Sequence, residues 1–268
     1  QNTHQYLNKT IGDYKLLESN ATLPLVILGS TITIDGRRMI FSPQGLSYLT
    51  RPSGTYDVQR TEVDGVEFRK LFAEHDPMSL QFTSALRANA TFPYILPGVY
   101  LPTEPKIELM DAGFRDNTGL EISLRFVNTF ADWINEKTSG VIMVQLIDHK
   151  KVNDIEPNQK PPSAIDKLTS PFGNILSNWK NFEDYDQDLI SSMVNKNLDG
   201  KVDFIYFEYY PEEKEKRAAM SFHLTQRERD NIFAAIYSDK NLRATIELMD
   251  LLGIEQSEVL ISNETTLD

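Results

Sequence analysis

The chain has 268 residues and 40% hydrophobic content, enough for one large α/β domain or two small ones and too apolar for a disordered protein. Its formal net charge of -12 argues against the phosphate backbone of nucleic acid as a partner, because like charges would meet without counterion release, and it weighs against purely electrostatic attraction to anionic lipid. With no cysteine, the chain forms no disulfide, does no thiolate chemistry and holds no cysteine-ligated zinc.

No apolar run approaches the roughly 18 residues needed to span a bilayer, and Gln1-Asn2-Thr3-His4 has neither the basic region nor the apolar core of a secretion signal. The sequons at Asn8, Asn20, Asn89 and Asn263 are therefore read as chance patterns. Residues 1–22 read as a lead-in. Leu23 to Ile34 is β-branched and continuous, and Asp35-Gly36 supplies a two-residue turn before Arg38-Met39-Ile40-Phe41, which together predict a hairpin. Asp76-Pro77 opens a helix carrying Leu80, Ala85 and Leu86, with proline in the first turn. Ile107 to Met110 reads as a strand. Thr118 to Lys137 reads as one long amphipathic helix with Leu120, Leu124, Val127 and Ala131 on a stripe, stopped before Gly140.

Val141 to Ile147 is a buried strand by composition, and the proline-bearing stretch Lys151 to Ser163 a loop. Asp186 to Leu198 then predicts a helix and Val202 to Tyr210 a strand. Thr225-Gln226-Arg227-Glu228 is a capping box that starts a helix through Tyr237, and Ser238 to Leu252 forms a second helix ended by Gly253. Strand and helix in alternation argue for an α/β fold, a sheet covered by helices.

Two segments carry chemistry. Asp111-Ala112-Gly113-Phe114-Arg115-Asp116-Asn117-Thr118-Gly119 puts a carboxylate on a tight turn where a strand ends, a frequent place for a reactive group in α/β proteins. About twenty residues earlier, Ala85-Leu86-Arg87-Ala88-Asn89-Ala90-Thr91-Phe92-Pro93 reads as a helix leading to a proline-braced turn at Pro97. Together they resemble the patatin-like lipid acyl hydrolases, in which an A-S-x-A-x-P-x-x-F-P run precedes a strand closed by D-G-G or D-G-A and then x-x-x-N-x-P. Ala88, Thr91, Pro93 and Pro97 fall in register, with Asn89 at the usual serine and Thr91 at the usual alanine. Asp111, Gly113 and Asn117 also match, whereas Ala112 replaces a glycine and Gly119 a proline. A positive φ at Ala112 would strain the turn and spoil the aim of Asp111. Phe41-Ser42 and Ser221-Phe222-His223-Leu224 resemble further family stretches.

The resemblance implies a serine carboxylic-ester hydrolase acting on lipid, with a Ser/Asp dyad in which Asp111 is the general base and Gly113 and Asn117 shape its turn; it implies no cofactor and no metal. The family's G-x-S-x-G elbow is missing. Gly45-Leu46-Ser47-Tyr48-Leu49 has only its first half and lies between Pro43 and Pro52, and Ser30 lies inside a strand. Residues 23–268 then read as the C-terminal part of a patatin-like domain, with the serine outside this chain. Loss of the leading strands of a mostly parallel sheet would leave an unpaired edge beside Leu25 to Ile34. The expectation is a companion carrying the elbow, either another segment of the same polypeptide or a self-associated copy, and no ester hydrolysis by this chain alone.

The bland readings stay open. Asp111 can simply cap a strand-to-helix turn, Asn117 can cap the helix after Thr118, and Arg115 can bind an anionic headgroup or form a surface ion pair. Asn195 to Asp203 imitates a calcium loop but has Tyr206 at the position that needs a bidentate glutamate, and Glu183 to Asp188 reads as a solvated acidic face. His4, His75, His149 and His223 show no metal-ligand spacing. Phe172 to Trp179 is either core or a lipid-facing flap. A module that binds lipid or a protein without chemistry, or an unrelated α/β binding domain, would carry the same residues.

Overall fold

The computed structural model describes residues 7–52, 63–91, 97–147, 188, 190–209, 211, 218 and 223–254. The proline-bearing loop at 151–163, the Phe172 to Trp179 stretch, most of the acidic run from Glu183, and Phe92 to Leu96 of the matched segment lie outside them. The chain divides into two compact units, Gln1–Phe130 and Ala131–Asp268. Both combine strands with helices, so the fold is α/β.

The first unit is built on a five-stranded sheet in the order β3-β2-β1-β5-β4. Its strands are β1 (Leu28–Ile32), β2 (Arg38–Phe41), β3 (Gly65–Glu67), β4 (Val99–Leu101) and β5 (Ile107–Met110). β1 and β2 form the expected hairpin, with Leu28 opposite Phe41 and Gly36 at φ 73 in its turn. The β1 strand is shorter than the apolar run: Leu23 to Ile27 stay outside the sheet because pairing starts at Leu28. β1 also pairs antiparallel with β5, and β5 with β4, while β2 and β3 run parallel. The sheet is therefore mixed rather than mostly parallel. β1 lies at its centre, but β5 pairs with it only at Thr31 and Ile32, so the edge expected beside Leu25 to Ile34 is covered at that end alone and Leu28 to Ser30 have no strand partner on that side among the described residues.

Alternation along β1 and β2 sorts the two faces. Ile32, Met39 and Phe41 join Phe68, Phe72, Ala85, Ala88 and Leu109 in one buried cluster, and Ile40 joins Leu46 and Leu49 on the other side. Helix α1 (Ile11–Ser19) contributes Ile11 to the first cluster. It is tied to the start of α3 (Phe82–Asn89) by the Ile11 amide on Leu80 O at 2.8 Å and the Phe82 amide on Lys9 O at 2.8 Å. Between α2 (Phe68–Leu71) and α3, Pro77 starts only a short 3-10 turn, Pro77–Ser79; Leu80 lies outside it and α3 begins afresh at Phe82. The long helix expected from Thr118 is two helices, α4 (Leu120–Thr129) and α5 (Ala131–Lys137). The break at Phe130 has a local cause. The Thr129 hydroxyl donates back to Arg125 O at 2.7 Å, and the Phe130 ring turns onto Tyr48, edge-on at 5.5 Å, and onto Phe126 at 4.9 Å.

In the second unit, β6 (Val141–Ile147) and β7 (Val202–Glu208) pair in parallel along their whole length. A helix over 190–197, α6, leads into β7 through a turn in which Asp199 (φ 51) and Gly200 (φ 76) are left-handed. Thr225 caps α7 (Gln226–Ile236) in the expected capping box with Glu228, and Ser238 and Gly253 bound α8 (Asp239–Leu252). Asn241 ties these parts together while almost fully buried. Its Oδ1 accepts the Glu208 amide at 2.8 Å, and its Nδ2 donates to Glu208 O at 2.9 Å and Ala235 O at 2.7 Å. Along β6 the burial is inverted: Gln145 is buried, whereas Val144 and Leu146 are 49% and 78% exposed. Among the described residues no helix is long and apolar enough to cross a membrane.

Candidate functional site

The fold brings the two matched segments together. The Asp111 amide donates to Thr91 O at 2.8 Å, so the chain just past α3 holds the residue after β5. Thr91 is itself buried, with its hydroxyl on Arg87 O. Asn89, at the place of the family's serine, accepts the Gly29 amide through Oδ1 at 3.0 Å and so pins α3 to β1. On the other side the Thr31 hydroxyl donates to Asp111 O at 2.9 Å. The main chain of Asp111 is thus fixed from two directions.

Its carboxylate is fixed from one. Oδ1 accepts the Gly113 amide at 2.7 Å, and Oδ2 has no hydrogen bond among the described residues. Burial pushes the carboxyl above the usual range, and the Gly113 amide offsets only part of that. Ala112 opens a 3-10 turn, Ala112–Phe114, without a positive φ, so an alanine there strains nothing. Gly113 is needed for space. A Cβ on it would lie 2.8 Å from Asn117 Oδ1 and 2.9 Å from Asp111 Oδ1. Asn117 and the Asp111 carboxylate thus both lie against Gly113. Gly119 takes φ 68 ahead of α4, a conformation closed to the proline found there in the family.

Asp116, absent from the sequence-based candidates, is the group that caps α4. Its Oδ1 accepts the Glu121 amide at 3.1 Å and its Oδ2 the Ile122 amide at 3.0 Å. Burial pushes its carboxyl upward against the pull of Arg38 and these two amides. Arg38, 3% exposed on β2, reaches both Asp116 (3.4 Å) and Glu121 (2.9 Å) through Nη2. Arg125 binds Glu121 and Asp64, and Arg115 binds Asp64 at 2.8 Å. Three arginines and three carboxylates form one charge-balanced, largely buried cluster around the turn. Burial opposes ionisation of Asp64, but the hydrogen bonds and charge of Arg125, with Arg115 and Arg38, hold its carboxyl below the usual range. Arg115 is thus an ion-pair residue, half-buried and also bonded to Gly36 O at 3.1 Å.

A cavity of about 270 Å³ opens beside the turn, lined in part by Gly29, Arg38, Asn89, Ala112, Asn117 and Ile122. Arg38 Nη1 is buried and has no hydrogen-bond partner. No serine of the described residues bonds to Asp111. Ser47 donates to the buried Glu67, which also accepts the Leu46 amide at 3.2 Å, and it starts a 3-10 turn rather than an elbow. Ser30 is a buried residue of β1 whose hydroxyl has no partner. The calcium-like stretch forms the tight turn before β7, and no cluster of three His, Asp or Glu among the described residues is placed to hold a metal ion. A scan of protein-family models finds no match to this chain, and a search of curated proteins finds none either.

Proposed function

We propose that this chain is the C-terminal part of a patatin-like lipid acyl hydrolase and supplies the aspartate of its Ser/Asp dyad. The observation that carries the reading is the Asp111 carboxylate: one oxygen aimed by the Gly113 amide, the other without a hydrogen bond among the described residues, and its acidity weakened by burial at the end of a strand. Those are the properties of a general base, which needs a fixed position, a free lone pair and a pKa raised toward working pH. The serine arrives with a companion segment. The cavity beside the turn, with the unpaired Arg38 Nη1 in a residue of its wall, suits the reading that a further polar segment packs there.

In this mechanism Asp111 takes the serine proton as the serine oxygen bonds to the ester carbonyl carbon. When the ester C–O bond breaks, the leaving alcohol receives that proton. Water then repeats the sequence in reverse roles, transferring its proton to Asp111 and releasing the fatty acid and the serine. The test is hydrolysis of a short-chain ester and of a phospholipid vesicle by a longer polypeptide carrying the elbow, beside its Asp111→Asn variant and the 268-residue chain. Activity in the longer wild type, lowered at least about 100-fold in the variant and absent from this chain, is the expected result. A folded, elbow-bearing protein with no activity would sink it.

Gly119 favours a second reading. Its left-handed backbone shows that the turn after Asn117 leaves the family's proline geometry, as a module that binds lipid or protein without chemistry could do freely. An upstream segment lacking G-x-S-x-G would decide for that module.

A further inference from the structure

Two cations in the wall of the cavity beside the turn each keep one donor unused. Arg38 uses Nη2 on Asp116 and Glu121, and its Nη1 is buried with no partner. Arg115 uses Nη1 on Gly36 O and Nη2 on Asp64, and its Nε is likewise buried and unpartnered. Glu121 brings the two guanidinium groups close together, with Arg38 Nη2 at 2.9 Å from its Oε2 and Arg115 Nη2 at 3.8 Å from its Oε1. The surrounding carboxylates have no unused oxygen to offer them. Both oxygens of Asp64 accept from Arg125 or Arg115, both of Asp116 accept from the amides of α4, and both of Glu121 accept from Arg125 or Arg38.

A buried N–H without an acceptor is costly, and folded proteins ordinarily supply one. A single ordered water does not fill the space, since water takes about 30 Å³ in the liquid and the cavity measures about 270 Å³. Both donors belong to guanidinium cations, whose hydrogen bonds to an ionised acceptor are about twice as strong as bonds between neutral groups, and whose planar fork matches the oxygens of carboxylate and phosphate. We propose that this cavity is a binding site for a small oxyanion, a phosphate, sulfate or carboxylate group, held by Arg38 Nη1 and Arg115 Nε. Asp111 is not among the residues that line it, so the oxyanion binds beside the candidate base and not upon it. The anion comes either as a free ion or as a carboxylate of the added polar segment; only the second source rests on the hydrolase reading.

The test is calorimetric titration of the 268-residue protein with inorganic phosphate, sulfate and acetate, at an ionic strength held constant with potassium chloride. Saturable one-site binding of phosphate is expected. Arg115→Lys and Arg38→Lys each keep the positive charge and remove the unpaired donor, so each should weaken phosphate binding at least about tenfold while the protein still unfolds cooperatively. Ser30→Ala is the control. Ser30 also lines the cavity, yet it pairs with Met39 and so faces the apolar cluster on the side of the sheet opposite Arg38, and its variant should bind as the wild type does. Heats that do not saturate, undiminished binding by both lysine variants, or an equal loss in Ser30→Ala would overturn the proposal. In an elbow-bearing polypeptide, retained phosphate binding assigns the site to a free ion, and its loss assigns the place to a carboxylate of the added segment. Ester hydrolysis by that polypeptide without anion binding here would keep the hydrolase reading and remove this site. Anion binding here beside an inactive, folded polypeptide would do the reverse.

Discussion

The two units solve the problem of a sheet in opposite ways. In the first, β1 is paired with β2 along its length and with β5 at Thr31 and Ile32, and charged groups around the Asp111 turn are neutralised by one another. In the second, two parallel strands expose Val144 and Leu146 and bury Gln145. Parallel strands are ordinarily covered on both faces, and a two-stranded sheet is marginal by itself. A unit that closes its own sheet can present a site, whereas a unit that leaves apolar side chains outward presents a surface.

The contrast is open to direct attack. Arg38→Met should have the largest effect, because it strips the buried Asp116 of its counter-charge: about 3 kcal/mol lost in urea unfolding, confined to hydrogen-exchange probes in residues 28–130. Asn241→Leu should cost about 2 kcal/mol and release protection only in β7 and α8, since three buried hydrogen bonds go with it. If either variant unfolds both units together, they are one cooperative body and the comparison fails. Gly113→Ala should cost about 1 to 2 kcal/mol by pressing on Asn117, and the loss should shrink in an Asn117→Ala background.

Acid titration separates the two carboxylates of the first unit by sign. Asp64 has a depressed folded pKa, so its contribution is present above the ordinary carboxylate pKa and is lost as pH falls through the folded value. Asp64→Asn should therefore be less stable than wild type at pH 7, with the gap closing in acid. Asp111 has a raised folded pKa, so its ionisation begins to count against the folded state as pH rises through the ordinary value. Asp111→Asn should match wild type in acid and be the more stable of the two at pH 7; a loss at pH 7 would show that the carboxylate serves structure. The smallest effect on stability belongs to Leu146→Lys, within about 0.5 kcal/mol of wild type. Urea unfolding at pH 7 checks this, and a loss above about 1 kcal/mol would show that Leu146 is packed rather than outward.

The features legible in the sequence are those encoded locally. Arg38–Phe41, Ile107–Met110 and Val141–Ile147 appear as strands at the expected residues, and Thr225, Ser238 and Gly253 bound their helices because caps act within one turn. The break at Phe130 was hidden because the apolar stripe runs on through it with no proline or glycine to mark it. The start of β1 was hidden because Leu25 to Ile27 are as β-prone as Leu28 to Ile32, and only pairing with Phe41 sets the limit. At the site, Asp111, Gly113 and Asn117 stood out as a contiguous motif. Asp64, Arg38 and Arg125 did not, since their cluster joins separate strands and a helix and leaves no spacing to recognise. Asp116 was overshadowed by its neighbour Asn117, because it reaches the α4 amides from three residues before the Gly119 N-cap, outside the usual capping position.

The balance of the arginine and carboxylate cluster bears on ionic strength. Three positive and three negative groups cancel there, so the whole surplus of -12 resides elsewhere on the chain. At about 0.15 M salt the screening length is roughly 8 Å and acts mainly on exposed charges. Added salt should therefore ease the approach of this acidic protein to a negatively charged lipid surface while leaving the orientation of Asp111 untouched, making encounter salt-sensitive and the site itself salt-indifferent.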